Sequence, residues 1–268
     1  MKRKLNILTY LYTLFLVLLF LSGQFSGIIG DLIYFLSFAL PFVIGVILSR
    51  GQEGDISFEI DKENLKFTLP LIMPTVVVTI ILAFITNLVI FTITGRTNYV
   101  YIGDSFVLAI ITHAVLPAIF EELLFRYLPA RILSGHSEKL VVLYSAFFFS
   151  LVHMDLFSIP YAFFGGVIFM MVDLATGSII PSILIHFINN ALSVGATFYS
   201  DNPAFLPTMY TIVAIVTLIS IVFIIKNRKK YKYSAQIAFL SEKRVSITLD
   251  MLIFAAIILM LAIADLLF

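Results

Sequence analysis

Long runs of apolar residues alternate with short polar or Pro- and Gly-containing segments along almost the whole chain. A helix crosses the roughly 30 Å hydrocarbon layer of a bilayer in about 20 residues, and nine runs approach that length. The predicted spans are residues 5–21, 28–49, 71–94, 106–128, 141–154, 159–175, 179–198, 206–225 and 249–268. The pattern therefore predicts an all-α, polytopic transmembrane helix bundle. An eight-span version, in which an end helix is short or interfacial, is the alternative.

The Lys and Arg residues indicate how such a bundle is oriented. These residues gather in short cytoplasmic loops. With a cytoplasmic N-terminus and nine spans, every Lys and Arg except Arg96 falls on the cytoplasmic side. The asymmetry predicts an N-terminus inside and a C-terminus outside. The polar segment 50–66 is then a small cytoplasmic loop.

Composition agrees with a membrane location. Apolar residues make up 61% of the chain and charged residues 12%, whereas soluble domains hold about 25% charged residues. We expect an integral, multi-pass membrane protein, in the cell membrane if the source is bacterial. A net charge of +1 argues against a nucleic-acid partner. The absence of cysteine excludes disulfides, thiol catalysis and Cys-ligated zinc.

Three charged residues, Glu121, Glu122 and Arg126, interrupt the fourth run (106–128), within the stretch "LPAIFEELLFRYLPARIL" (116–133). Residues four apart share a helix face, while neighbours point about 100° apart. Glu122 and Arg126 are therefore predicted to pair, and Glu121 to point elsewhere. Intramembrane charges are costly and mark functional sites. The alternative is a packing network, or side chains that reach the interface.

Two later runs carry histidines. "FFFSLVHMD" places His153 one turn after Phe149, and "PSILIHFINN" places His186 and Asn190 one turn apart on one face. Glu121 and His153 lie sixteen residues either side of position 137, inside the turn "SGHSEK". An antiparallel helix pair would bring them to the same depth. A histidine alone among apolar residues is more often a satisfied core group, but several polar groups in a membrane need partners.

Such a cluster suits amide hydrolysis. A carboxylate and an imidazole that share a water can act as a general base. A second histidine and an amide can donate hydrogen bonds to the carbonyl oxygen under attack. Alternatively, Glu121, His153 and His186 match the two-His, one-carboxylate ligand sets of catalytic zinc.

The motifs "EELLFR", "FSLVH" and "HFINN" resemble those of the CPBP intramembrane proteases. This family contains the Rce1-type CAAX prenyl endopeptidases and bacterial bacteriocin-processing and self-immunity (Abi-type) proteins. Its pattern is Glu-Glu-x-x-x-Arg, Phe-x-x-x-His and His-x-x-x-Asn, in that order, and all three motifs match without substitution. The resemblance covers roughly residues 106–192.

The resemblance implies a four-helix catalytic core and a role for each motif residue. Glu121 and His153 would activate the water, and His186 and Asn190 would stabilise the oxyanion. Glu122, Arg126 and Phe149 would support the site. No cofactor is expected, with zinc as the alternative. The substrate would be a membrane-bound or lipidated peptide or protein.

The chain then divides into three parts: N-terminal transmembrane helices and a short loop (1–104), the protease core (105–199), and C-terminal transmembrane helices with a basic loop (200–268). The competing function is a non-catalytic membrane protein of the same fold, acting as an immunity factor, a scaffold or a transporter. The substrate and the oligomeric state are left undetermined.

Six further residues have structural interpretations. His113 precedes Glu121 by eight residues, which rotates it about 80° away on an ideal helix, so we expect it to serve helix packing. Asp173, Asp31 and Asp265 are expected to be interfacial or interhelical partners. Gly165 and Gly166 are expected to allow close helix packing.

Overall fold

A computed structural model describes residues 2–52, 54–96, 102–103, 105–229 and 249–267. This part of the chain folds into nine helices and contains no strand beyond one isolated bridge between Ser57 and Ser178. The helices are α1 (Lys2–Ser22), α2 (Ile28–Leu48), α3 (Lys62–Thr94), α4 (Phe106–Ile132), α5 (Glu138–Leu151), α6 (Ile159–Thr176), α7 (Ile180–Phe198), α8 (Phe205–Lys226) and α9 (Leu249–Leu267). The predicted all-α bundle is confirmed.

Seven of these helices, α1 to α4 and α6 to α8, are long and apolar enough to cross a membrane. The protein is therefore an integral, multi-pass membrane protein. Helix α3 begins before its predicted span, because Asp61 caps it by accepting a hydrogen bond from the backbone N–H of Asn64 at 2.7 Å.

The fifth predicted span, 141–154, was wrong at its C-terminal end. Helix α5 has 14 residues and ends at Leu151, so it is about 21 Å long and shorter than the hydrocarbon layer. A turn follows, in which Met154 adopts a left-handed backbone with φ 50°. No Gly or Pro marks this end of the helix, so the local residue pattern does not predict it.

The helices pack around an aromatic centre. The ring of Tyr12 on α1 lies 4.9 Å from the rings of both Phe125 on α4 and Phe148 on α5, and all three side chains are buried. Helices α5 and α6 approach closely at Gly166, where an added Cβ would lie 3.0 Å from the Cα of Ala146. The expected close packing is confirmed at this glycine.

Helix α4 contains two wider π turns, Ile111–Val115 and Leu123–Tyr127. A proline follows soon after each, and proline cannot donate the backbone hydrogen bond that an α-helix needs. In an α-helix the Phe125 carbonyl would accept the backbone N–H of residue 129, but Pro129 has none. The hydroxyl of Ser145 on α5 donates to that carbonyl instead. The turns alter which residues share a face of α4.

Candidate active site

Glu122 and Arg126 form a buried ion pair on α4. Arg126 Nε lies 3.3 Å from Glu122 Oε2, and both side chains are 0% exposed. The pair predicted from the four-residue spacing is thus present. The ring of Phe149 covers the guanidinium, with Arg126 Cζ 4.1 Å from the ring centroid. This cation–π contact further stabilises the buried charge.

His186 lies between the two glutamates. Its Nδ1 is 2.7 Å from Glu122 Oε1, and its Nε2 is 3.8 Å from Glu121 Oε2. Because an ionised carboxylate only accepts hydrogen bonds, Nδ1 donates to Glu122. The 3.8 Å separation is too long for a hydrogen bond. The ring is therefore held by Glu122 and presents Nε2 towards Glu121.

Glu121 points away from Glu122, as its neighbouring position on the helix predicts. Its side chain is 20% exposed, while its Oε2 atom is buried and has no hydrogen-bond partner among the described residues. A buried carboxylate oxygen without a partner is costly and uncommon. This atom is consequently available to a water or a substrate.

His153 lies in the turn that follows α5. Its Nδ1 is 2.8 Å from the carbonyl oxygen of Phe149, to which it donates. The two rings meet edge to face, with centroids 5.0 Å apart. These contacts fix the imidazole and leave Nε2 as its free nitrogen. Met154, next in the chain, holds the left-handed conformation that ends the turn.

One cavity of about 490 Å³ is lined by Glu121, His153, His186 and Asn190. The structure thus brings together the four residues that the motifs single out, although they come from α4, the turn after α5, and α7. The antiparallel arrangement about the turn at 133–137 accounts for the meeting of Glu121 and His153. The predicted supporting residue Phe149 also lines the cavity.

Asn190 is oriented by two residues that the sequence analysis missed. Thr79 Oγ1 on α3 donates to Asn189 Oδ1 at 2.8 Å, and Asn189 Nδ2 donates to Asn190 Oδ1 at 3.4 Å. The amide nitrogen of Asn190 is then left to donate into the cavity. The "NN" doublet was a signal for Asn189, whereas nothing local marks Thr79.

The expectation that His113 serves helix packing was wrong, because its side chain is exposed and lines the same cavity as Glu121. The π turn Ile111–Val115 contains His113. Such a turn holds an extra residue, and this residue offsets most of the 80° that an ideal helix would put between the two positions.

Asp173 connects two helices, as expected. It is 0% exposed, and its Oδ1 accepts the backbone N–H of Ser182 at 3.0 Å, which ties α6 to the first turn of α7. Asp31 is exposed in the first turn of α2. The side chain of Asp265 lies outside the described residues.

The alternative zinc set of Glu121, His153 and His186 is not assembled at these positions. Among the described residues, no group of three or more His, Asp or Glu side chains is placed to hold a metal ion. Glu121 Oε2 and His186 Nε2 approach to 3.8 Å, but His153 does not complete a three-ligand set with them. The arrangement does not fit a catalytic zinc with three protein ligands.

A family model matches part of the chain. Residues 103–192 match the family model described as type II CAAX prenyl endopeptidase, Rce1-like. No curated protein and no solved structure matches the chain. The matched segment contains all four of the cavity residues that the motifs single out, and it supports a CAAX-type intramembrane protease fold.

Proposed function

We propose that this protein, which carries an Rce1-like domain at residues 103–192, is an intramembrane endopeptidase. It would hydrolyse a peptide bond in a membrane-associated or lipidated peptide or protein. One observation carries the proposal: Glu121, whose buried Oε2 has no hydrogen-bond partner among the described residues, lines the same cavity as His153, His186 and Asn190. An acceptor for a water proton and donors for an oxyanion are the groups that amide hydrolysis requires.

In the first step, a water in the cavity gives a proton to the Glu121 carboxylate and attacks the substrate carbonyl carbon. The free Nε2 of His153 accepts the second hydrogen of that water and holds its lone pair towards the carbon. Since Nδ1 of His153 is committed to the Phe149 carbonyl, this orientation is set before the substrate binds. Preorganised geometry of this kind lowers the barrier to attack.

The attack places negative charge on the carbonyl oxygen. The amide nitrogen of Asn190 donates to it, and so does Nε2 of His186 in its protonated form. The carboxylates of Glu122 and Glu121 lie 2.7 Å and 3.8 Å from its two ring nitrogens. When the tetrahedral intermediate collapses, the C–N bond breaks and Glu121 returns its proton to the departing nitrogen. The products are one carboxylic acid and one amine, which ionise to a carboxylate and an ammonium group on release.

Glu122, Arg126 and Phe149 act on the reaction through other residues. Arg126 balances the charge of Glu122, Phe149 covers the guanidinium, and Glu122 fixes the imidazole of His186. In this proposal they are positioning residues that do not touch the substrate.

The test compares cells that express the wild type, Glu121→Gln, or the control Glu63→Gln at equal abundance. Glu63 lies at the exposed start of α3, where the same chemical change is remote from the cavity. New peptide termini in the membrane fraction are counted by mass spectrometry. Glu121→Gln should reduce the amount of new termini that appear on wild-type expression by at least about 100-fold, as expected for loss of a general base. Glu63→Gln should leave that amount unchanged. Equal termini in the wild type and Glu121→Gln would refute the proposal.

A further inference from the structure

The two ends of the helix bundle differ in their content of Lys and Arg. Lys4 Nζ donates to Gln52 Oε1 at 3.1 Å and to the Ser134 carbonyl at 3.4 Å. These contacts place the N-terminus, the α2–α3 loop and the α4–α5 turn at one end, which we call the basic end (residues 2–4, 49–52, 54–61, 131–139 and 176–179). Lys2, Arg3, Lys4, Arg50, Arg131 and Lys139 lie in these segments. A concentration of Lys and Arg in short segments marks the cytoplasmic side.

The α2–α3 loop covers the basic end. The backbone N–H of Ser57 donates to the Gly177 carbonyl at 2.9 Å, and the N–H of Ile179 donates to the Ser57 carbonyl at 3.0 Å. Ile56, between these segments, is buried. Arg131 Nε donates to Ser49 Oγ at 3.0 Å at the start of the loop. The loop is therefore fastened both to the end of α4 and to the α6–α7 turn.

Packed side chains fill the space between this loop and the site residues. The last turns of α4 are almost wholly buried. The buried residues there are Leu124, Phe125, Arg126, Leu128, Pro129, Ala130 and Ile132, and Leu133 directly after the helix is buried as well. On α7 the first turns are also buried, through Pro181, Ser182 and Ile185. Asp173 on α6 accepts the backbone N–H of Ser182 and so ties α6 to these first turns of α7. A substrate chain has no path through such packing.

The cavity extends from Glu121 and His186 in the opposite direction. Helix α4 begins at the far end, and its residues His113 and Pro117 line the cavity before Glu121 does. Helix α7 finishes at the far end, and Ser193 and Ala196 in its last turns also line it. Ala196 lies two residues before the end of α7, which is about 3 Å along the axis. Exposed His113 and Ser193 indicate an entrance at this end.

We propose that the active-site cavity receives its substrate from the side of the membrane opposite the basic end, which is the extracytoplasmic side. The α2–α3 loop closes the cytoplasmic side. As far as it concerns a substrate, the proposal rests on the proposed endopeptidase function. It then specifies the substrate class: a membrane-anchored peptide whose scissile bond is presented from the extracytoplasmic side.

The depth of the site adds a requirement on the length of the substrate. His186 lies twelve residues before the end of α7 at Phe198, which is about 18 Å along the helix axis. An extended peptide covers that distance with about five or six residues. The substrate segment that enters the cavity must therefore be free of folded structure over this length.

The chain has no cysteine, so a single introduced cysteine provides the only thiol for a membrane-impermeant maleimide. Ser193→Cys reports on the cavity, Lys139→Cys on the basic end, and Ala204→Cys on the exposed segment before α8 at the far end. None of the three residues belongs to the proposed catalytic machinery. We expect Ser193→Cys and Ala204→Cys to be labelled in intact cells, and Lys139→Cys only after permeabilisation.

Two results would overturn the proposal: labelling of Ser193→Cys only after permeabilisation, together with Lys139→Cys, or no labelling of Ser193→Cys while both controls react. Reaction of Lys139→Cys in intact cells would reverse the orientation and refute it as well. Maleimide labelling does not require catalytic turnover. Each cysteine substitution is therefore also combined with Glu121→Gln, and the labelling pattern should be the same. Failure of access and failure of the endopeptidase chemistry are thereby distinguished.

Discussion

His186 Nδ1 donates to Glu122 Oε1 at 2.7 Å, so a histidine of α7 is bound to the carboxylate that Arg126 neutralises on α4. The residues that the motifs present as separate pairs are therefore one buried assembly. The charges of Glu122 and Arg126 balance only while both residues are present, and an unpaired charge inside a membrane is costly. The stability of the bundle and the orientation of His186 consequently depend on the same contacts.

Arg126→Ala should reduce the amount of folded protein. The change leaves Glu122 buried at 0% exposure with no positive partner on its helix, and breaking a buried pair from one side costs about 3–5 kcal/mol. The measurement is the monodisperse fraction after detergent extraction at equal expression. Normal abundance combined with lost activity would instead assign Arg126 a direct role with the substrate.

The double variant Glu122→Gln/Arg126→Met separates the charge balance from the positioning of His186. Removal of both charges avoids the stranded ion, so folded yield should return close to that of the wild type. Activity should remain low, because the introduced amide would bind the Nδ1 proton of His186 more weakly than a carboxylate does. Recovery of activity together with yield would show that Glu122 has no positioning role.

Thr79→Val should lower kcat by about tenfold and leave KM unchanged. This loss is smaller than the roughly 10²–10³-fold fall in kcat that follows removal of a direct oxyanion donor. The change removes the hydroxyl that donates to Asn189 at 2.8 Å and so loosens the orientation of Asn190. Thr75→Val is the matched control, because Thr75 is also buried and lies one turn earlier on α3. Equal effects of the two changes on kcat would contradict this role.

Gly166→Ala should lower the thermal stability of the protein in detergent. The new Cβ would lie 3.0 Å from the Cα of Ala146 and 3.3 Å from Cδ1 of Phe149, and overpacking of this kind costs about 1–3 kcal/mol. This cost exceeds the gain of up to about 1 kcal/mol that alanine brings to a helix interior. Gly195→Ala is the control: its Cβ would meet the ring of Phe205 at 3.5 Å, an ordinary contact. Equal or higher stability of Gly166→Ala would refute the packing argument.

The purified protein should lack stoichiometric metal, and chelators should leave Glu121-dependent cleavage largely intact. The physical reason is that His153 does not join Glu121 and His186 in a three-ligand set. Elemental analysis before and after dialysis against chelator provides the measurement. About one zinc per chain, lost together with activity and restored by added zinc, would show that a metal mechanism operates.

The sequence by itself determined that the protein lies in a membrane, that its fold is all-α, and which polar residues interrupt its apolar helices. Apolar runs of about 20 residues leave a chain few options except membrane helices, and the four-residue spacing was enough to pair Glu122 with Arg126. Both inferences rest on local geometry, which short segments carry within themselves. The sequence also predicted that Glu121 and His153 lie at the same depth, because one short turn joins their helices and the two residues are equally far from it.

Only the tertiary structure decided which side chains met across helices. The contacts of His186 with Glu122, and of Thr79 with Asn189, join residues that are far apart in the chain, and no local spacing encodes such distances. The π turn that brought His113 to the cavity, and the end of α5 at Leu151, also escaped the sequence pattern. Ideal helical periodicity assumes uniform turns, whereas prolines and interhelical packing alter the rotation and length of real helices.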